Sequence, residues 1–200
     1  MGDKKVRVAI IGVGNCAASL VQGIQFYHNA PDDQFIPGLM HPRVGDYHVG
    51  DIEITAAFDI DAAKVGKDLS EAMWAGPNNT IKFCDVPNMG IKVLRGMTHD
   101  GLGRYLKERI EKAPGSTDDI IGVLKDTHTD VVVNFLPVGS EMATKWYVQQ
   151  ILDAGCGMVN CIPVFIAREP YWQQRFSPPG VPCLLTLQPP KDTLSLQTTA

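Results

Sequence analysis

Three small residues lie close together near the N-terminus, in the order Gly12, Gly14 and Ala17. A glycine first in this pattern permits a tight turn, and the second leaves room for a pyrophosphate to approach the backbone. The small third residue lets a following helix pack against a strand, with its free N–H groups and positive dipole end facing the phosphates. A glycine triplet alone is a weak signal, so its meaning depends on the elements around it.

Those elements are a strand before the glycines and a helix after them. Val6 to Ile11 is a short apolar run rich in β-branched residues, which is typical of a strand buried on both faces. Apolar or small residues then recur at helical spacing, at Ala17, Leu20, Val21, Ile24 and Tyr27. Because the glycines join a strand to an amphipathic helix, they predict a site for the pyrophosphate of NAD.

A second predicted strand, Ile52 to Phe58, ends at Asp59. A carboxylate at this place accepts both ribose hydroxyls of adenosine and would repel a 2′-phosphate, which favours NAD over NADP. The separation from the glycines is about twice the usual 20 residues, and a surface insertion at 29–50, rich in proline and glycine, accounts for the excess. Asp61 is a rival for the ribose, and helix capping is another interpretation of Asp59.

Predicted strands and helices alternate along the rest of the chain. Helices are expected at 62–75, 105–112, 118–126, 141–154 and 169–176, and strands at 91–94, 130–136 and 158–162. Thr117 or Asp118 is the expected N-cap of the helix at 118–126, and Gly155 should end the helix that starts after Ser140. Alternation of this kind predicts an α/β fold with a Rossmann-like, doubly wound parallel sheet.

Leu136 to Ser140 follows the clearest strand at its carboxyl end, where open α/β sheets bind ligands. Ser140 could cap the next helix, line the site, or do both. Asn160 to Pro163 follows the next strand and should therefore lie nearby.

Composition narrows the classes of function. The formal net charge is -4 and no Lys/Arg-rich block occurs, which argues against nucleic acid as a partner. No apolar run is long enough to cross a membrane, and the first apolar run enters a glycine turn instead of a signal-peptide cleavage site, so we expect a cytoplasmic protein. The five cysteines lack C-x-x-C pairing and the histidines lack ligand spacing, so no metal site is expected.

Several stretches of the chain resemble the inositol-3-phosphate synthase (myo-inositol-1-phosphate synthase) family in its actinobacterial and archaeal form. The resemblance runs from Val6 to about Pro182 and is carried by VRVAIIGVGNCAASLVQGI, PGLMHPRVGDYHV, AAFDIDAAKVGKDLSEA, PNNTIK, DGLGRY, NFLPVGSE and NCIPVFIA. PGLMH and NNTIK are more specific than a glycine triplet, and they argue against a different NAD-dependent dehydrogenase.

The resemblance implies isomerisation of D-glucose 6-phosphate to 1D-myo-inositol 3-phosphate, a step of inositol and phospholipid biosynthesis. In that family NAD oxidises C5, an intramolecular aldol step closes the ring, and the reduced cofactor returns its hydride. The resemblance also implies a homotetramer. It implies cofactor contacts from Gly12, Gly14, Asn15, Cys16, Asp59, Asp68, Asn79, Pro137, Val138, Ser140 and Tyr147.

The resemblance ends near Pro182. Family members continue with a G-D-D-x-K-S-type motif and a second domain that supplies the catalytic lysines and the oligomer interface. We therefore expect an incomplete Rossmann-like domain at 1–182 that lacks this second domain, and an atypical tail at 183–200 that is disordered or out of frame. No catalytic residue is predicted within the 200 residues, and an inactive NAD-binding fragment is the alternative to an active isomerase.

Overall fold

Six parallel strands form the central sheet in the computed structural model, which describes residues 4–103, 106–176 and 183–186. They are β1 (Val6–Ile11), β4 (Ile52–Asp59), β5 (Val93–Arg95), β6 (Val131–Asn134), β7 (Gly157–Asn160) and β8 (Cys183–Thr186). An antiparallel ribbon of β2 (Arg43–Val44) and β3 (Tyr47–His48) precedes β4. The spatial order β5-β4-β1-β6-β7-β8 is that of dinucleotide-binding folds, which confirms the predicted fold class.

Helices cover both faces of this sheet. They are α1 (Asn15–Tyr27), α2 (Leu69–Ala72), α3 (Ile120–Asp126), α4 (Glu141–Ala154) and α5 (Pro170–Phe176), with 3-10 turns at Val49–Asp51 and Leu106–Glu108. Buried residues of α1 and α2 pack on one face, and those of α3, α4 and α5 pack on the other. None of the helices in the described part of the chain has the length and apolar character that crossing a bilayer requires.

The apolar run of β1 reflects this double burial. Val8 and Ile10 point to the face covered by α1, whereas Ala9 and Ile11 point to the face covered by α4. A strand with partners on both faces needs apolar residues at consecutive positions, not at alternate ones. The apolar run of β1 is therefore continuous because helices cover the sheet on both faces.

The helix predicted at 62–75 is wrong over most of its length, since only Leu69–Ala72 is α-helical. Turns replace its first part, because the Asp61 carbonyl accepts the N–H groups of Lys64 and Val65, and the Asp61 carboxylate accepts that of Ala63. Apolar periodicity alone does not reveal these local hydrogen bonds, which compete with the helix.

Two further local predictions also need correction. The described part of the helix predicted at 105–112 is a 3-10 turn at Leu106–Glu108. Asp119 caps α3 by accepting the Gly122 N–H, in place of the expected Thr117 or Asp118. The Asp118 carboxylate instead accepts the N–H of Arg95 at 2.6 Å, which ties the start of α3 to β5.

The last strand lies within the segment predicted to be an atypical tail. Cys183–Thr186 pairs in parallel with β7, so these four residues extend the sheet. The remaining positions of that segment, 187–200, lie outside the described residues.

A buried glutamine joins α1 to the segment that follows α2. The Gln22 side chain is 0% exposed, and its amide nitrogen donates to the carbonyls of Ala18 and Ile81. Its oxygen accepts the N–H of Phe83 at 2.9 Å and that of Cys84 at 3.2 Å. One side chain thus hydrogen-bonds the backbone of segment 81–84, which belongs to no strand.

We expect Gln22→Met to lower the free energy of unfolding by about 1–3 kcal/mol, because two N–H groups lose their acceptor. Gln25→Met makes the same change at an exposed position of α1 and should cost less than about 0.5 kcal/mol. Urea unfolding followed by circular dichroism measures both changes. Equal stability of the two variants would contradict the role given to Gln22.

Candidate functional site

The carboxyl ends of β1, β4, β6 and β7 meet at one edge of the sheet. At β1 the strand order reverses, so the loops after β1 and β6 lead to helices on opposite faces and leave a crevice between them. Open α/β sheets bind ligands at such a reversal. The glycine loop, defined as Gly12–Asn15, forms one side of this crevice, and Leu136–Ser140 forms the other.

Two glycines of the glycine loop are required for different reasons. Gly12 has φ +89, and a Cβ there would lie 2.8 Å from the Phe135 carbonyl oxygen. Its N–H donates to the carbonyl of Phe58 at 2.8 Å, so its backbone touches both neighbouring strands. A Cβ on Gly14 would meet no atom within 4 Å, which leaves an open face at the start of α1.

The open face at Gly14 suits a phosphate group. Gly14 is the N-cap of α1, and the first-turn N–H groups of a helix have no partner within it. Those donors, together with the positive end of the helix dipole, favour an anion. These donors could hold the pyrophosphate of a dinucleotide at this open face.

Asp59 accepts hydrogen bonds from the glycine loop and from its own turn. Its Oδ2 accepts the Val13 N–H at 2.7 Å, and its Oδ1 accepts those of Ile60 and Asp61 at 2.7 and 3.0 Å. A carboxylate offers about four acceptor positions, so Asp59 retains room for one further donor. The rival Asp61 is buried and accepts the N–H of Ala63.

Asn15 connects the glycine loop to the NNTIK segment. Its side-chain oxygen accepts the Asn79 N–H at 3.2 Å, and its carbonyl accepts the hydroxyl of Thr80 at 3.1 Å. Asn78 stabilises the same turn by donating to the Met73 carbonyl and accepting the Thr80 N–H. The segment 78–80 therefore lies against the start of α1.

Buried amides position the opposite side of the crevice. Asn134 donates to the side-chain oxygen of Asn160 at 2.9 Å, and its own oxygen accepts the Leu136 N–H. Asn160 in turn donates to the carbonyls of Ile162 and Val164. Both asparagines are almost fully buried, so the loops after β6 and β7 are held by a connected polar network.

Ser140 occupies the N-cap position of α4, but its side chain makes no capping hydrogen bond. The Asp100 carboxylate caps instead, accepting the N–H of Met142 at 2.8 Å and that of Ala143 at 2.9 Å. Burial alone would raise the pKa of Asp100, but these hydrogen bonds outweigh it and hold the pKa below its usual range. The buried Ser140 hydroxyl has no hydrogen-bond partner among the described residues.

Tyr147 supports the loop that carries Asp100. Its hydroxyl is buried and accepts the Met97 N–H at 2.8 Å. Burial raises the pKa of this hydroxyl well above its usual range, so the group stays neutral. Between these two anchors His99 has φ +35, in the left-handed region.

Asp68 is committed to the fold around α2. Its carboxylate accepts the hydroxyl and N–H of Ser70, and the N–H groups of Met89 and Ile91. Burial would raise the pKa of Asp68, but these hydrogen bonds lower it below the usual range. The contacts leave little acceptor capacity for a ligand.

Two cysteines lie near the crevice. Cys16 is exposed in the first turn of α1, and Cys161 follows β7 with its N–H bonded to the Asn134 carbonyl. Burial raises the pKa of the Cys161 thiol, with a smaller contribution from Cys16. In the described part of the chain, no group of three or more His, Cys, Asp or Glu residues is arranged to hold a metal ion.

Known proteins match both the sequence and this arrangement. Inositol-3-phosphate synthase of Corynebacterium glutamicum is 53% identical over 182 residues, which are 91% of this chain and 50% of that protein. The synthase of Mycolicibacterium smegmatis is 53% identical over 178 residues, covering 89% of this chain and 49% of the relative. Over the matched residues, the chain is similar to inositol-3-phosphate synthases.

The crystal structure of Ari2 has the same fold over much of the chain. It superposes with a TM-score of 0.71 at 30% identity, covering 86% of this chain and 51% of that one. No protein-family profile matches the chain. The chain spans about half the length of the curated synthases that it matches.

The structure brings most of the residues predicted from the resemblance to the inositol-3-phosphate synthase family to the two sides of one crevice. The side at α1 and β4 holds Gly12, Gly14, Asn15, Cys16, Asp59 and Asn79. The side after β6 holds Pro137, Val138 and Ser140, of which Val138 is 79% exposed. Asp68 and Tyr147 are set apart, because the fold already uses their side chains.

Several polar residues of the crevice are absent from the sequence prediction, namely Lys64, Thr80, Asp100 and Asn134. Their partners are distant in the chain, 51 residues away for Lys64, 65 for Thr80 and 42 for the bond from Asp100 to Met142. No short-range pattern marks such pairs. The apolar context of Asn134 at the end of the clearest strand is the one local signal among them.

We expect Gly12→Ala to lower the free energy of unfolding by at least about 2 kcal/mol, because the new Cβ meets the Phe135 carbonyl at an unfavourable φ. Gly14→Ala adds a Cβ in open space and should cost less than about 1 kcal/mol, the loss of a favourable N-cap residue. Urea unfolding of the two variants compares them directly. A larger loss for Gly14→Ala would contradict this assignment.

We expect Asp100→Ala to lower the free energy of unfolding by about 1 kcal/mol at pH 7, because α4 loses its cap. The lowered pKa means that the contribution is complete above the usual carboxyl value of about 3.9 and is lost as pH falls through the lower folded-state value. The difference from wild type should therefore shrink under strongly acidic conditions. Asp33→Ala, the same change at an exposed position, is the control in urea unfolding across pH.

Proposed function

We propose that this chain provides the NAD-binding part of an inositol-3-phosphate synthase, which isomerises D-glucose 6-phosphate to 1D-myo-inositol 3-phosphate. The observation that carries the proposal is the glycine loop at the reversal of strand order, where Gly14 leaves an open face at the start of a helix. The names of the relatives supply the reaction. A cytoplasmic location and a homotetramer belong to the same proposal.

Residues on both sides of the crevice would bind the cofactor. The N–H groups at the start of α1 would donate to the pyrophosphate, with Asn15 and the Asn79 turn beside it. The remaining acceptor position of Asp59 would take a ribose hydroxyl, and its charge would disfavour a 2′-phosphate. The exposed Val138 offers an apolar surface on the opposite side for the nicotinamide end.

NAD would supply reversible hydride transfer, and the protein would supply orientation and charge stabilisation. The buried Asn134 and Asn160 amides hold the loop that carries Val138, so a bound ring would meet a positioned surface. Tyr147 of α4 accepts the Met97 N–H, and Asp100 ties the segment 97–101 to the start of α4. These four residues act on the cofactor site through the backbone that they hold.

A second candidate is an NAD-binding chain without turnover. It is favoured by the crevice itself, whose assigned residues all serve cofactor binding. Incubation of the 200-residue chain with glucose 6-phosphate and NAD separates the two candidates. Formation of inositol phosphate supports the isomerase, and NAD binding without product supports the second candidate.

We expect Gly14→Ala to raise the dissociation constant for NAD by about tenfold or more, because the new methyl group occupies the space for the pyrophosphate. Gly23→Ala makes the same change later in α1, where a Cβ also meets no atom within 4 Å, and should leave NAD affinity unchanged. Titration calorimetry of folded samples measures both. Equal affinity of the two variants would count against the proposed pyrophosphate site.

A further inference from the structure

We propose that Lys64 is a positioning residue for the glycine loop, acting with Asp59 to hold Val13 in the conformation that receives pyrophosphate. The inference rests on the proposed NAD binding and adds a residue to it. Lys64 lies in the turn after β4, outside the strand–glycine–helix pattern, and would reach the cofactor site only through the backbone of Val13.

The two side chains grip the peptide groups on either side of Val13. Asp59 Oδ2 accepts the Val13 N–H at 2.7 Å, and Lys64 Nζ donates to the Val13 carbonyl at 2.7 Å. Lys64 Nζ lies 3.9 Å from Asp59 Oδ2, which closes the arrangement as an ion pair. Val13 is therefore held at both its donor and its acceptor, between the two glycines of the loop.

The burial of Lys64 makes loss of its charge costly. Lys64 is 8% exposed, which is unusual for a lysine and requires a partner for its charge. Without the ammonium group, the Val13 carbonyl would lose a charge-assisted hydrogen bond and Asp59 would keep a buried charge with one fewer cation nearby. The first loss falls on the glycine loop itself, and the second falls on the carboxylate that accepts the Val13 N–H.

The position of Lys64 also argues against a direct ligand role. Its backbone N–H is bonded to the Asp61 carbonyl in the turn after β4, and its side chain runs past Gly76 towards Val13. Its ammonium donates to the Val13 carbonyl and is paired with the Asp59 carboxylate. We therefore assign Lys64 the role of fixing the conformation of the glycine loop. The close approach of the pyrophosphate to the backbone of that loop depends on this conformation.

Three variants and two ligands test this assignment. Lys64→Met keeps an unbranched, flexible side chain and removes the charge, Lys64→Arg keeps the charge, and Lys67→Met removes a charge from an exposed position of the same turn. Dissociation constants are measured for NAD and for adenosine, which lacks the pyrophosphate, by calorimetry and by competition. Circular dichroism establishes that each sample is folded.

We expect Lys64→Met to weaken NAD about tenfold with little change for adenosine, because only the pyrophosphate meets the glycine loop. Lys64→Arg should recover part of the loss, and Lys67→Met should match wild type. An equal loss for both ligands, or unchanged NAD affinity, would overturn the assignment. Failure of the unsubstituted chain to bind NAD would instead reject the proposed function.

If Lys64→Met does not fold, Lys64→Gln replaces it, since the glutamine amide can still donate a hydrogen bond in this buried polar site, whereas methionine cannot. Glutamine is one bond shorter than lysine and does not restore the contact with the Val13 carbonyl. The same selective loss of NAD affinity is expected, and the same two outcomes would contradict it.

Discussion

The backbone at Gly12 lies in contact with both neighbouring strands. Its N–H donates to the Phe58 carbonyl at the end of β4, while its α-carbon faces the Phe135 carbonyl beyond β6. This contact determines the direction in which the chain leaves β1, and so where α1 begins. It also turns the Val13 N–H towards Asp59, so the later hydrogen bonds of the glycine loop depend on the space that a missing side chain leaves.

Carboxylates that accept backbone N–H groups organise much of the rest. Asp59, Asp68, Asp100 and Asp119 each hold a loop or a helix start in this way. An acidic residue at the end of a strand is therefore not automatically free for a ligand. Whether it can bind a ligand depends on the acceptor positions that its own hydrogen bonds leave. Asp59 keeps one such position, whereas Asp68 keeps little acceptor capacity.

The parts of the fold that could be predicted from sequence are those determined by neighbours in the chain. The apolar run of β1, the helical spacing in α1 and the left-handed Gly155 at the end of α4 are all local features. The glycine loop is local too, since its strand and helix adjoin it. These features, with the strand predicted before Leu136–Ser140, sufficed for the fold class and for the loops on both sides of the crevice.

What sequence could not predict depends on contacts between distant segments. The helix expected at 62–75 is interrupted by carboxylate turns, and the capping of α4 comes from Asp100, far back in the chain. The strand Cys183–Thr186 is short and is defined by its pairing with β7. Periodicity carries no information about such partners, so the roles of Lys64 and Asn134 could not be predicted either.

The starts of α1 and α4 both lie at the edge of the sheet that carries the crevice, but they differ in charge. Helix α1 begins at Gly14, whose face is open, whereas the first turn of α4 is already neutralised by the Asp100 carboxylate. The two helix starts therefore differ, since the one at α1 can accept an anion and the one at α4 already has one. A ligand whose negative charge lies at one end would therefore be oriented by this difference between the two helix starts.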